Sequence, residues 1–227
     1  MADDLSATAR RASSPRKARP DARGRGRPVG DREAKRAELL AAALAVIAEE
    51  GYAGASLRRV AQRAGCTTGA VTYYFASKEE MMAALIESRF DVFDTILEVQ
   101  EKIDIRAGFR LWLDLMSDEQ SSTRTGDLQL LASARHEPAL AAVYQRRYGR
   151  YRDGLTSILA RRQAEGRVRT DIAADVLSDQ LCAMGDGWMM LLPIEPERFS
   201  PERVQVLLDA TMALIAPAAG ATGRAGA

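Results

Sequence analysis

Histidine and cysteine are scarce in this chain of 227 residues: there is one His, at position 136, and there are two Cys, at 66 and 182. A single imidazole argues against His-rich metal sites and against most Ser/His or Cys/His catalysis. Two Cys outside any CxxC pair give no disulfide framework and read as reduced, packed thiols. Long hydrophobic runs are missing as well. No stretch approaches the roughly 20 apolar residues of a membrane span, and the N-terminus MADDLSATARRASSPRKARP has no apolar signal-peptide core, so a cytoplasmic location is expected. There is no Asn-Gly or Asp-Gly hairpin between apolar strands and no sustained alternation of β-branched residues, which excludes a β-rich fold. No phosphate-cradling Gly loop, metal-ligand cluster or nucleophile–base pair is present, so no enzyme activity, no catalytic residue, no metal and no cofactor is expected.

An excess of one charge is also lacking overall, with 32 Lys+Arg against 31 Asp+Glu. That balance hides a gradient: residues 1–80 carry a net charge of +5 and residues 81–227 a net charge of −4. A basic front half before an acidic back half points to a polyanion-binding module joined to a unit with another task. Residues 1–31 hold eight Lys+Arg and almost no large apolar side chains, and are read as a disordered basic arm. From Arg32 the periodicity is helical throughout, so the expected fold is all-α with about nine helices.

Capping chemistry places the boundaries. Leu40, Ala43, Leu44 and Ile47 share one face of a first helix that Gly51 should end in the left-handed conformation. Ser56 caps a second helix, LRRVAQRA, stopped by Gly65. A third short helix begins near Thr67 or Thr68 and should run to Phe75, and the capping box Ser77-Lys78-Glu79-Glu80 opens a long fourth helix that leaves the first module. Further amphipathic helices follow around FRLWLDLM, around DLQLLASAR, from Pro138 to Gly166, over Leu177–Leu191, and after Ser200-Pro201. The division is a basic arm (1–31), a helix-turn-helix module (32–90, motif 56–75), a helical regulatory and dimerisation domain (91–216) and a disordered tail (217–227).

Two short helices joined by a Gly-containing turn beneath a longer one form a helix-turn-helix, whose second short helix enters the DNA major groove by its N-terminal side chains. Val60, Ala61, Ala64, Cys66, Val71 and Phe75 supply its core, which leaves Thr67, Thr68, Gly69, Ala70, Thr72 and Tyr73 to face double-stranded DNA.

The stretch from Arg32 to about Phe90 resembles the DNA-binding domain of the TetR family of bacterial transcriptional regulators. The resemblance lies in the AxxxxxxxGY end of helix one, the LRRVAQRAG helix, the Gly-Ala-Val-x-Tyr-Tyr-Phe recognition helix and Ser-Lys-Glu-Glu. It implies that Ser56 and Arg58 contact phosphate or base edges and that Thr67, Thr68, Gly69 and Ala70 face bases. It also implies that Tyr73, Tyr74 and Lys78 reach phosphates. Thr72 stands where many members have Tyr, which removes one expected backbone contact. Short Thr, Gly and Ala side chains favour thymine-methyl contacts, water bridges and shape readout over Arg–guanine pairing. The segment WMMLLPIEPERFSPERVQVLLD is similar to the C-terminal domains of members near the choline/betaine regulator.

Within the arm, RGRGRP resembles an AT-hook core that would place Arg25 and Arg27 in a minor groove. In the second domain, Phe109, Trp112, His136, Tyr144, Tyr148, Met184, Trp188 and Met189 are candidates to line an apolar pocket for an unidentified small-molecule effector. The stripes Leu177, Leu181, Met184, Trp188 and Val204, Leu208, Ile215 suggest a four-helix homodimer interface, with a palindromic operator as its consequence. The expected function is a ligand-responsive transcriptional repressor, against the alternatives of an architectural DNA-binding protein without ligand control or a helical interaction module.

Overall fold

Side chains that satisfy the first free N–H groups of a helix fix where the helices begin. The computed structural model describes residues 29–117 and 121–217. Its helices are α1 (Val29–Gly54), α2 (Leu57–Arg63), α3 (Thr68–Thr72), α4 (Lys78–Lys102), α5 (Ile105–Ser117), α6 (Ser121–Ser133), α7 (Pro138–Ala164), α8 (Ala174–Leu191) and α9 (Pro201–Ile215), with a 3-10 turn at Pro196–Phe199. The fold is all-α: nine α-helices and no strand among the described residues. No helix among them is long and apolar enough to cross a membrane.

Local boundaries follow capping chemistry, with some corrections. Helix α1 starts at Val29, three residues before Arg32. Gly51 interrupts it at φ 76, ψ 168, which lies outside the left-handed helical basin, in a region open essentially only to Gly. This redirection buries Ala55 and lets the chain resume a last turn through Gly54. Helix α3 stops at Thr72 rather than Phe75. The Val71 carbonyl accepts from both Tyr74 and Phe75 N–H, at 2.9 and 3.0 Å, and this tightened turn swings Phe75 into the core. At α4 the Ser77 hydroxyl accepts from Glu80 N–H at 3.1 Å, while the Glu80 carboxylate reaches Ala76 N–H at 2.8 Å, one residue earlier than in a regular capping box.

Two buried cores lie along α4. The first joins Leu39, Ala43 and Ile47 of α1 to Val60, Val71, Phe75, Met81, Met82 and Leu85. It continues into the body through Leu130 and Ala134 at α6 and Leu140 and Val143 on α7. The second core joins Ile96, Ile105, Phe109, Trp112 and Leu113 to Leu155, Leu159, Leu181, Val204 and Leu208. Each such side chain contributes about 1.5–3 kcal/mol on full burial. Helix α4 supplies Met81 to Phe90 to the first core and Ile96 to the second, so one helix belongs to both.

A polar clamp fixes α4 against α7. The nearly buried Arg147 lies over the Phe90 ring at 5.8 Å and contacts Glu87, Asp91 and Asp94 at 3.3–3.4 Å. On the outer side, Val176, Met190 and Leu191 of α8, Ile194 beyond it, and Val206 and Leu214 of α9 stay exposed. The stripe expected to pair two chains is corrected accordingly. Leu177, Leu181, Val204, Leu208 and Ile215 are buried within this chain, and Met184 and Trp188 pack against the same core. Both faces of α8 and α9 carry apolar residues, and the inward one takes the stripe with the regular 3–4 spacing.

Candidate nucleic-acid interface

The helix-turn-helix is assembled from bonds local in sequence. The Ser56 hydroxyl accepts from Arg59 N–H at 3.2 Å and starts α2. Gly65 at φ 61 and the bond from Cys66 N–H to the Ala61 carbonyl, 2.9 Å, close the turn. The Thr67 hydroxyl accepts from Ala70 N–H at 3.2 Å and starts α3. Val60, Ala61, Val71 and Phe75 are buried beneath, with Cys66 half-buried as an apolar plug.

This frame turns Thr67, Thr68, Gly69, Thr72 and Tyr73 outward, with Ala70 half-buried. Hydroxyl chemistry is partly spent: Thr67 caps the helix, and the Thr72 hydroxyl donates to the Gly69 carbonyl at 3.1 Å. Thr68 is exposed, and its hydroxyl has no partner among the described residues. Tyr73 is 67% exposed and meets Tyr74 edge-on at 5.1 Å. Arg32 from the first turn of α1 stands 5.6 Å over the Tyr73 ring, so its guanidinium joins this face. Sequence reasoning missed that neighbour, because 40 residues separate the pair.

The basic residues divide into free and tethered. Arg59 is ion-paired with Glu50, and Arg63 with Glu49 at 2.7 Å. The Glu50 carboxyl is held below its ordinary range by the Arg59 hydrogen bond. Arg58 is exposed without an ion pair among the described residues, and Ser56 beside it is exposed too. The Lys78 ammonium donates to the Tyr52 carbonyl at 2.6 Å and lies 4.1 Å over that ring. Burial lowers the Lys78 pKa against the opposing pull of Glu137 and Glu79, so this Lys ties the start of α4 to the end of α1. Arg25 and Arg27 lie outside the described residues.

The body contains two adjoining spaces. The lower one is lined by Phe93, Gln100, Phe109, Trp112, Tyr148, Tyr151, Cys182 and Asp186, among others. The upper one lies between Phe90, Phe93, Tyr144, Tyr148, Met116 and Met189, beside the Arg89–Asp127 ion pair at 2.8 Å. Phe93 and Tyr148 belong to both and divide them, their rings 6.4 Å apart. Of the expected lining, Phe109, Trp112, Tyr144, Tyr148 and Met189 are brought together. His136 is not: it is exposed in the turn between α6 and α7, since the helix carrying Leu130 ends at Ser133, before it. Met184 and Trp188 are corrected as well. Trp188 stands edge-on to Phe109 at 6.1 Å, and the Thr211 hydroxyl lies 3.6 Å from the Met184 sulfur, so both serve the core.

Burial pushes the Tyr144, Tyr148 and Tyr151 phenols well above their ordinary range and raises the Asp186 carboxyl. The Tyr148 hydroxyl donates to Asp186 at 3.3 Å. The Cys182 thiol is pushed up to about 11, again by burial first, which keeps it an unreactive thiol. Gln100, Tyr151, Cys182 and Asp186 were not anticipated. The available signal was Gln100 itself, a polar residue on the buried stripe of Phe93 and Ile96.

Comparison with known proteins agrees with this geometry. The family described as bacterial regulatory proteins, tetR family, matches residues 39–85, and the BetI-type transcriptional repressor C-terminal domain matches residues 105–217. The HTH-type transcriptional regulator PksA of Bacillus subtilis is 23% identical over 182 residues, covering 77% of this chain and 86% of that protein. The HTH-type transcriptional repressor AcnR of Corynebacterium efficiens is 28% identical over 167 residues, covering 73% and 84%. The solved SmeT–triclosan complex superimposes with a TM-score of 0.67 at 25% identity, over 81% of this chain and 92% of that one. Relatives that are regulators, a capped helix-turn-helix with an outward recognition helix and a helical body of the BetI type lead to one conclusion: the chain belongs to the TetR family and is a sequence-specific DNA-binding transcriptional regulator, not an enzyme.

Proposed function

We propose that the chain works in the cytoplasm as a homodimeric repressor that binds a palindromic operator and lets go when a small-molecule effector occupies its body. The observation that carries this reading is the continuity of α4: one 25-residue helix is packed into the head core at Met81–Phe90 and borders the body's cavity at Phe93, Ile96 and Gln100. A ligand that shifts this helix changes the spacing of two recognition helices across a dimer, and each tenfold preference for the shifted form is worth about 1.4 kcal/mol of coupling. The family includes a member solved with triclosan, which supports a ligand-bearing body.

In this proposal residues 32–90 form the reading head and 91–216 the sensing and dimerising body. Thr67, Thr68, Gly69 and Ala70 meet bases, Thr72 lies beside them on the same face, and Ser56, Arg58, Tyr73, Tyr74 and Lys78 hold the backbone. The exposed apolar residues Val176, Met190, Val206 and Leu214 supply the dimer face. Arm residues Arg25 and Arg27 add minor-groove attraction. The test is selection of bound sites from random duplex DNA, followed by footprinting and measurement of the protein-to-DNA ratio. We expect one protected palindrome with half-sites about 34 Å, one helical turn, or a multiple apart, and two chains per site. Even coverage of DNA without an enriched motif would favour an architectural binder.

A further inference from the structure

The body's cavity presents one side chain whose chemistry is incomplete. Gln100 is 0% exposed, and neither its Oε1 nor its Nε2 has a hydrogen-bond partner among the described residues. The Tyr151 phenol is close enough for the amide to ease its titration, yet no well-formed hydrogen bond joins them. A buried carboxamide with both ends unpaired is destabilising, so its retention on an otherwise apolar stripe calls for a partner. The fold makes room for it. Gly108 of α5 faces Gln100, and a Cβ there would stand 2.1 Å from Gln100 Cγ and 2.8 Å from its Cδ. Only a residue without a side chain admits the amide at that helix crossing.

Charge and shape around the amide narrow what it can pair with. Asp186 is the one formally charged side chain among the residues lining the lower space, and it already accepts from Tyr148. A carboxylate ligand would face that carboxyl in a poorly solvated site. An ammonium ligand would be drawn to Asp186 and could donate to Gln100 Oε1, but it would leave Nε2 without an acceptor. A planar neutral group that both donates and accepts satisfies both ends, and the rings of Phe93, Phe109, Trp112 and Tyr151 give it flat apolar surfaces.

We propose that this cavity binds an uncharged small molecule whose head is a carboxamide or lactam, paired through two hydrogen bonds with the Gln100 amide. Its apolar body packs against the rings of Phe93, Phe109 and Trp112. The assignment rests on the effector reading above and gives it a ligand class.

The test uses the full chain without DNA and three probes matched in size: benzamide, benzoate and benzylammonium. Binding is followed by calorimetry and by Trp fluorescence, since Trp112 lines the site and Trp188 touches Phe109. Benzamide should bind about tenfold more tightly than either charged probe, as expected when a buried hydrogen-bonding group is left unpaired. Gln100→Leu and the straighter Gln100→Met should abolish this preference while leaving the melting temperature unchanged or higher, because each removes an unpaired amide from the interior. Equal benzamide binding by those variants, preference for either charged probe, or no binding of any probe would overturn the proposal. Operator release is measured separately. If benzamide binds through Gln100 and DNA is retained, the ligand class stands and effector control fails. If none of the probes binds while other metabolites release DNA, effector control stands and this ligand class fails.

Discussion

In the helix-turn-helix head, Ser56, Thr67 and Ser77 each accept a hydrogen bond from the backbone N–H three residues ahead, and Val60, Val71 and Phe75 are buried beneath them. In the body, α7 and α8 begin at Glu137 and Ala173 without a side-chain cap, and Gln100 is buried with its amide unpaired. The head spends its polar groups on holding a surface still. The body leaves the Gln100 amide unspent beside the space that α4, α5, α7 and α8 enclose, and Arg124 Nε and Gln129 Oε1 elsewhere. A fixed reading surface and an incomplete interior, joined by one helix, are the parts a ligand-controlled regulator requires.

Substitutions can break each side of this contrast. The largest expected effect is in the head. Phe75→Ala empties a fully buried site between α3 and α4 and should cost about 3–5 kcal/mol, read as a lowered melting temperature with loss of DNA binding. Next, Gly108→Ala should cost about 1–3 kcal/mol by overpacking, because the new methyl meets Gln100. Adding Gln100→Ala to it should recover part of that loss, and a double-mutant cycle in denaturant measures the recovery. Thr67→Ala removes the α3 cap and should cost about 1 kcal/mol, with weaker operator binding at unchanged dimer affinity. The smallest effect concerns Cys182: with its thiol raised to about 11, alkylation at pH 8 should be slow in the folded chain and should rise as pH approaches that value, checked by mass spectrometry over time.

The same contrast explains what was legible beforehand. Head boundaries are written in local signals, so Ser56, Gly65, Thr67 and Ser77 were found by capping and turn chemistry alone. Phe75 was read as core, but the end of α3 was missed because the tightened turn that carries Phe75 inward is set by long-range packing. In the body, helices were legible and their partners were not. His136 looked like a pocket residue by type and lies in an exposed turn, while Gln100, to which the sequence assigned no role, is buried against α5 through the absence of a side chain at Gly108. Apolar residues on both faces of α8 and α9 likewise hid which face turns inward until the cores could be seen.

The central claim is that the outward start of α3 reads DNA sequence. Selection of bound sites from random DNA, run in parallel with the wild-type chain and with Thr68→Ala, tests it directly. Thr68 is exposed and outside the core, so the variant should melt with the wild type and yet select a different base at one position in each half-site. An unchanged motif with unchanged affinity would contradict the account.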